Sequence, residues 1–173
     1  MESSEKKKYA HAVKTKGKSA LESIKKFIST CDIDETDFRS LYILLSYGVE
    51  MILKSTIILS YDSDCKKCLD QDLKYLSHDL TKISKKIGWV ELDDIGIESI
   101  KSEKEKYINS DENFYYYNIT TTDGRVMKIE NFVDIRYPNS GIRSGSSEEI
   151  LEYIAIAEYI LKKIDKKRDQ YKK

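Results

Sequence analysis

The most apolar stretch of the chain, from Leu41 to Leu59, carries two charged residues close to its centre. The stretch is long enough to cross a membrane, but Glu50 and Lys54 would each cost about 2.5–3.5 kcal/mol in the middle of a bilayer. A helix buried in the core of a soluble protein accommodates the same pattern better. We therefore predict that this segment is the central helix of the fold, and we expect no membrane partner.

Helix breakers are rare in this sequence. Its 173 residues contain one proline, Pro138, and seven glycines, so almost nothing interrupts long helices. Apolar residues at helical spacing predict five helices, over about residues 5–30, 37–61, 70–87, 95–110 and 147–167. We predict a mainly α fold, a four- to five-helix up-and-down bundle in one domain over residues 1–173, with residues 166–173 as a frayed basic tail.

Two connections between the predicted helices have a recognisable local chemistry. Gly88 is well suited to end the third helix, and we expect Trp89 to pack as the chain returns to the core. Ser146 or Ser147, followed by two glutamates, is typical of a helix start. We predict that the last helix begins there.

Between residues 114 and 129, the spacing of the apolar residues is no longer helical. Three tyrosines, Tyr115–Tyr117, belong to a run rich in strand formers, and Asp123-Gly124 separates it from a second run. Asp-Gly between two β-prone runs is a strong hairpin signal. We predict a small two-stranded hairpin that decorates the helical body; the alternative is a tyrosine-rich end of the fourth helix. Tyrosines can stack on nucleobases or line an interface, but packing across strands is more typical.

Cys65 and Cys68 have the C-x-x-C spacing of zinc ligands and redox pairs. A structural zinc site usually needs four ligands, and a redox motif needs a preceding strand in a βαβ unit. The sequence offers neither, so we predict two ordinary cysteines at a connection between helices, no bound metal and no cofactor. The odd cysteine count, with Cys31 as the third, and the polar, lysine-rich N-terminus predict a cytoplasmic protein.

Three polar residues stand out on the second helix and shortly after it. Glu50 and Lys54 have the i,i+4 order that favours a helical ion pair, which we expect on an exposed stripe, where it contributes about 0.3–0.5 kcal/mol. His78 precedes Asp79 and has two interpretations. It is an acid–base group, or it packs against a neighbouring helix while Ser77 or Asp79 caps a helix.

Four segments occur in an order that resembles a known family. They are the hydrophobic run Leu45–Lys54, the helix opening Leu76–Leu80, the loop motif Arg136-Tyr137-Pro138 and the amphipathic last helix with Ile154–Glu158 at its centre. Over about residues 35–165 this order is similar to that of the HEPN (higher eukaryote and prokaryote nucleotide-binding) domain family. The resemblance implies a bundle of four to five helices that usually forms a homodimer.

Members of that family include RNases of toxin–antitoxin and phage-defence systems, partners of small nucleotidyltransferases, and non-catalytic binding modules. The RNase branch carries an arginine followed four to six residues later by a histidine, which moves a proton during cleavage. This chain has only His11 and His78, and no histidine follows Arg136 up to Ile142. The resemblance therefore implies a non-catalytic module that binds a nucleotide, an RNA or a protein partner such as a nucleotidyltransferase. The alternative is a divergent, metal-independent RNase toxin that uses Arg136 with His78 or Tyr137.

The resemblance aligns Arg136 and Tyr137 with a signature of the family. Arg136 offers a planar fork for a phosphate and Tyr137 a face for a nucleobase; alternatively, Arg136 pairs with a buried acid such as Glu50, and Tyr137 fills the end of the bundle. Arg143 lies in the loop before the last helix, whose N-terminus can hold an anion. The predicted ligand site comprises Arg136, Tyr137, Arg143, Glu50, Lys54 and His78, and its catalytic candidates are His78, Arg136 and Tyr137.

The charge of the chain is zero in total but uneven along the sequence. Thirty basic residues balance thirty acidic ones, which argues against nucleic-acid binding through bulk charge. Residues 1–26 and residues 161–173 each carry a net charge of +5, whereas residues 91–112 carry −5. If the two terminal segments lie side by side, they form a basic face that leaves local RNA binding open.

Overall fold

Six helices and three strands make up the described part of the chain. A computed structural model describes residues 2–31, 35–106, 113–130 and 145–170. The helices are α1 (Ser3–Thr30), α2 (Glu35–Ser60), α3 (Lys66–Leu76), α4 (Leu80–Ile87), α5 (Trp89–Asp94) and α6 (Ser147–Gln170). The strands β1 (Ile97–Lys106), β2 (Asn113–Thr121) and β3 (Val126–Glu130) form one antiparallel sheet in that order. The predicted mainly helical fold class is confirmed in this coarse form.

The helix α2 supplies the centre of the core. Leu45, Leu53 and Ile58 on this helix are completely buried, and buried residues of α1, α4, α6 and the sheet pack around much of it. By length and composition alone, Phe38–Ser60 could also cross a membrane, and the core helix of a soluble protein passes the same test. The prediction that this segment is a buried core helix is confirmed.

The helices α1 and α2 come into close contact at two glycines. A Cβ atom on Gly17 would stand 2.6 Å from the carbonyl oxygen of Gly48 and 2.9 Å from Ile52 Cγ1. A Cβ atom on Gly48 would stand 3.2 Å from Leu21 Cδ2. Side chains at these two positions would push the helices apart, so the glycines let the two backbones touch.

The predicted third helix, residues 70–87, is divided in the structure. Ser77 separates α3 from α4 and has a positive φ of 49°. Asp79 then caps α4, because its carboxylate accepts hydrogen bonds from the backbone N–H groups of Thr81 and Lys82. The prediction of one continuous helix is wrong, whereas the capping role of Asp79 is confirmed.

Gly88 ends α4 as predicted, with a φ of 87° that favours glycine. Trp89 is 77% exposed, so its predicted packing into the core is wrong. The reason is that α5 begins directly after Gly88, and Leu92 rather than Trp89 is the buried residue of that helix.

Cys65 and Cys68 are joined by a disulfide at the start of α3. Cys65 is the N-cap residue of the helix, and its Sγ atom accepts a hydrogen bond from the N–H group of Cys68 at 3.2 Å. The prediction of two ordinary cysteines is wrong, because the first turn of the helix brings the two side chains together and they form a disulfide. Within the described residues, no group of three or more His, Cys, Asp or Glu side chains could hold a metal ion.

The predicted fourth helix, residues 95–110, is wrong, because β1 occupies most of that range. The strand pairs with β2 and places Ile100 opposite Ile119. The register shifts between Ile97 and Ser99, so Ile97 and Ile100 both pack against the core. A spacing of three thus fits a strand with a bulge as well as a helix.

The predicted hairpin at residues 114–129 is confirmed as β2 and β3, and β1 extends it to three strands. The turn contains Gly124 with a φ of 83°, and Asp123 accepts hydrogen bonds from its neighbours across the turn. Tyr116 and Tyr117 are buried in the sheet. The predicted packing across strands is therefore confirmed for these two tyrosines, and the alternative of a tyrosine-rich helix is wrong.

The last helix, α6, begins at Ser147 as predicted and continues through Gln170. The predicted fraying of residues 166–173 stays a prediction, and residues 171–173 lie outside the described ranges. Near the end of this helix, Lys167 Nζ donates a hydrogen bond to Asp94 Oδ2 on α5 at 2.7 Å.

Replacing Gly17 by alanine tests the glycine contact between α1 and α2. Alanine favours a helix interior over glycine by about 1 kcal/mol, so an unobstructed site would gain stability. At Gly17 the added methyl group meets Gly48 and Ile52, and we expect urea denaturation to show a free energy of unfolding lower by about 1–3 kcal/mol. The control is Lys16→Ala, an exposed neighbour, which should change stability by less than about 0.5 kcal/mol. A Gly17→Ala protein as stable as the wild type would contradict the close approach.

Candidate functional site

Glu50 and Lys54 lie on a face of α2 that is covered by the rest of the fold. Glu50 is 1% exposed and Lys54 is also buried, and Lys54 Nζ donates a hydrogen bond to Glu50 Oε1 at 2.7 Å. The predicted i,i+4 ion pair is present, but its predicted place on an exposed stripe is wrong. The physical reason is that the connection between α3 and α4 packs over this part of α2.

His78 reaches the same carboxylate from that connection. Its Nδ1 atom lies 2.7 Å from Glu50 Oε2, and Lys54 Nζ also donates to the carbonyl oxygen of Ser77 at 2.6 Å. Each oxygen of Glu50 therefore has a nitrogen partner. Glu50 and His78 are 28 residues apart in the chain, so these contacts join two distant segments. We call Glu50, Lys54 and His78 the Glu50 cluster.

The backbone on both sides of His78 is held in place. Ser77, with φ 49° and ψ −129°, has a conformation that costs a serine about 1–3 kcal/mol. The hydrogen bond from Lys54 to the Ser77 carbonyl group stabilises that turn, and Asp79 caps α4 on the other side. His78 is therefore positioned by its neighbours as well as by Glu50.

The contact with Glu50 assigns the protons of the His78 ring. An ionised carboxylate only accepts hydrogen bonds, so Nδ1 carries the hydrogen that lies between the two groups. In the neutral ring, the lone pair is then on Nε2. The His78 side chain is 35% exposed, so the ring reaches the surface while Glu50 stays buried. Such a ring can hydrogen-bond to a phosphate or exchange a proton with a bound ligand.

The chain on either side of the Arg-Tyr-Pro motif lies against α2. Before the motif, the carbonyl oxygen of Glu130, at the end of β3, accepts a hydrogen bond from Ser46 Oγ at 3.4 Å. After it, Gly145 packs so closely that a Cβ atom there would stand 2.8 Å from Tyr42 Oη. Tyr42, Ser46 and Glu50 follow one another at i,i+4 spacing and share one face of the helix. Glu130 and Gly145, the described residues that flank the motif, therefore lie beside Ser46 and Tyr42, on the face of α2 that carries Glu50.

The structure brings together three of the six predicted ligand residues. Glu50, Lys54 and His78 form one cluster, whereas Arg136, Tyr137 and Arg143 lie outside the described residues, as does the predicted pairing of Arg136 with Glu50. Sequence reasoning missed the Ser77 carbonyl group as a partner of Lys54. A backbone carbonyl carries no sequence signal, since every residue has one.

The two basic terminal segments lie side by side, but their shared surface is mixed in charge. Lys14 on α1 pairs with Asp165 on α6, and Lys25 pairs with Glu158. The groove between the two helices also contains His11. Acidic residues thus neutralise part of the basic face that the charge pattern predicted, at least among the described residues.

Removing the Glu50 carboxylate tests the cohesion of the cluster. In Glu50→Leu, Lys54 stays buried without its counterion, and we expect the free energy of unfolding to fall by about 3–5 kcal/mol. The double variant Glu50→Leu/Lys54→Met should recover part of that loss, because two apolar side chains need no counterion. Denaturant titration of both variants measures the difference. A double variant no more stable than Glu50→Leu would contradict the buried pair.

Asp79 makes the stability of the α3–α4 connection depend on pH. Burial raises the pKa of its carboxyl group, but hydrogen bonds from the Thr81 side chain and from the backbone N–H groups of Lys82 and Thr81 outweigh burial and hold the pKa below its usual range. A lowered folded-state pKa means that this cap contributes its full stability above the unfolded-state pKa. The contribution is lost as the pH falls through the folded-state pKa.

We expect Asp79→Ala to lower the free energy of unfolding by about 1 kcal/mol at neutral pH, because it removes the cap of α4. The difference from the wild type should shrink below about pH 4, where the wild-type carboxyl group itself takes up a proton. Urea denaturation over this pH range measures the effect, and Asp93→Ala, at an exposed position on α5, is the control. A difference that stays constant through the acid range would contradict a charged cap.

Comparison with protein-family models, with curated proteins and with solved structures finds no match to this chain. Among the described residues, the Glu50 cluster is the arrangement that unites the candidate site residues.

Proposed function

We propose that this chain is a dimeric, non-catalytic binding module of the HEPN type that binds a nucleotide or an RNA. The ligand lies in a cleft beside α2 and contacts His78 together with Arg136 and Tyr137. Arg136 pairs with a phosphate, Tyr137 stacks on a base, and the His78 ring donates or accepts a hydrogen bond. A small nucleotidyltransferase is the protein partner that the resemblance implies.

The proposal is supported by one observation, the convergence of two segments on which the resemblance to the family depends. Leu45–Lys54 supplies Glu50 and Lys54, and Leu76–Leu80 supplies His78. The two segments are distant in the chain, yet their polar residues meet in one hydrogen-bonded cluster. Glu130 and Gly145, the described residues that flank the Arg-Tyr-Pro motif in the sequence, lie against the same face of α2. A ligand held by all three segments has its place there.

A binding role fits the chemistry of the cluster better than catalysis. Glu50 and Lys54 are buried and already bonded to each other and to the protein, so neither acts on a substrate. Cleavage of RNA without a metal ion needs one group to take a proton from the 2′-OH and another to protonate the leaving oxygen. Within the described residues the cluster presents only the His78 ring for such transfers, while His11 lies in the groove between α1 and α6.

The second candidate function is a divergent RNase, and the orientation of His78 favours it. A histidine whose Nδ1 atom is held by a carboxylate has its Nε2 atom prepared as a general base. In this alternative Arg136 stabilises the phosphate, and Tyr137 protonates the leaving oxygen. The two functions differ in one result, which is whether the intact protein cleaves the RNA it meets.

Fluorescence anisotropy with a labelled single-stranded RNA and with a labelled nucleotide tests the binding function. We expect Arg136→Ala and His78→Gln each to weaken binding by about tenfold, because each removes a contact to the phosphate or the base. Glutamine can still donate a hydrogen bond to Glu50, so the fold should be retained. His11→Gln is the matched control and should bind like the wild type. Equal affinity of all four proteins for both probes would contradict the proposed site.

Incubation of the same proteins with total RNA distinguishes the two functions. The binding module leaves the RNA intact, whereas the RNase cleaves it and loses at least about a hundredfold of its rate in His78→Gln. Sedimentation velocity on the wild-type protein tests the dimer separately.

A further inference from the structure

A cavity of about 310 Å³ lies at the end of α2, where α1, α5 and α6 come together. Leu59 on α2, Ile95 after α5 and Ile164 on α6 give it an apolar lining. Ligand pockets in proteins begin at about 300 Å³, so this space suits a small molecule rather than a polymer. None of the Glu50 cluster residues lines it.

The charged residues of the cavity are mostly basic. Lys6, Lys7 and Lys167 line it together with one acid, Glu91. Lys6 and Lys167 form ion pairs with aspartates of neighbouring segments. Lys7 has no ion-pair partner among the residues that the structure describes, so its charge is available to an anion. The cavity therefore combines an apolar surface with one uncommitted cation.

Thr56 provides an independent sign that the cavity is built for a ligand. This residue belongs to the wall of the cavity and is only 5% exposed. The Oγ1 atom has no hydrogen-bond partner in the described part of the chain. Buried hydroxyl groups almost always have a partner, since leaving one unpaired destabilises the fold. A bound molecule with a polar atom at this wall would supply what the protein does not.

We propose that this cavity binds a small organic anion, with a compact apolar body and a phosphate or carboxylate group. The apolar body lies on Leu59, Ile95 and Ile164. The anionic group faces Lys7, and a polar atom of the ligand hydrogen-bonds to Thr56. This site is independent of the proposed RNA-binding function, because it shares no residue with the cleft beside His78.

Isothermal titration calorimetry with phenyl phosphate and with benzoate tests the site and tells the two anionic groups apart. Benzyl alcohol and inorganic phosphate are the ligand controls, since each has only half of the required chemistry. We expect at least one of the two aromatic anions to bind at least about tenfold more tightly than both controls. No detectable binding of either anion, or equal binding of a control, would overturn the proposal.

Two variants locate the ligand in this cavity. Lys7→Glu should weaken binding by about tenfold, whereas Lys8→Glu, an exposed neighbour outside the cavity, should change it by less than about twofold. Thr56→Val should weaken binding by about three- to tenfold while raising the melting temperature of the free protein, because it removes the unpaired hydroxyl group. Equal weakening by both lysine variants, or unchanged binding by Thr56→Val, would overturn the assignment. So would a lower melting temperature of Thr56→Val.

Discussion

The buried carboxylate of Glu50 is the constraint on which the arrangement of the helices depends. A charge with 1% exposure is tolerated only when its hydrogen-bonding capacity is met. Lys54 meets half of that demand from the same helix, and His78 meets the other half from the α3–α4 connection. That connection must therefore turn sharply enough to present His78, which explains why a serine with positive φ stands where a continuous helix was predicted. The break between α3 and α4 therefore lets His78 reach the buried carboxylate of Glu50.

Glu50 and Lys54 also show how much of the structure could be predicted from the sequence. The two charges in the apolar stretch correctly predicted a core helix, and their i,i+4 spacing correctly predicted an ion pair. Their burial could not be predicted from that spacing, because an exposed pair and a buried pair have the same spacing. What decides between them is His78, 28 residues away, and a single sequence contains no record of that contact. The functional expectation for His78 came from the chemistry of histidine, while its partner became known only from the structure.

The sheet shows a second limit of prediction from sequence, which is that the spacing of apolar residues does not always distinguish a strand from a helix. Asp123-Gly124 predicted the turn between β2 and β3, since few residues other than glycine accept its backbone conformation. The sequence of β1, in contrast, predicted a helix, because Ile97 and Ile100 are three residues apart and charged residues follow them. Two of these charges are hydrogen-bonded across the sheet: the single hydroxyl hydrogen of Tyr116 is shared between Glu103 Oε2 at 2.8 Å and Glu105 Oε1 at 3.0 Å. Burial and these two carboxylates raise the pKa of Tyr116, so the phenol keeps its proton and remains a donor.

Two buried polar groups on α2, only a few residues apart, thus differ in whether the protein supplies their hydrogen-bond partners. In the Glu50 cluster, the protein itself supplies every partner that the buried carboxylate needs, and the result is a fixed position for His78. Two residues beyond Lys54, the hydroxyl group of Thr56 is equally removed from solvent but has no partner in the described structure. Thr56 belongs to the wall of an apolar, lysine-lined cavity, and the ligand proposed for that cavity would supply the partner that its hydroxyl group lacks.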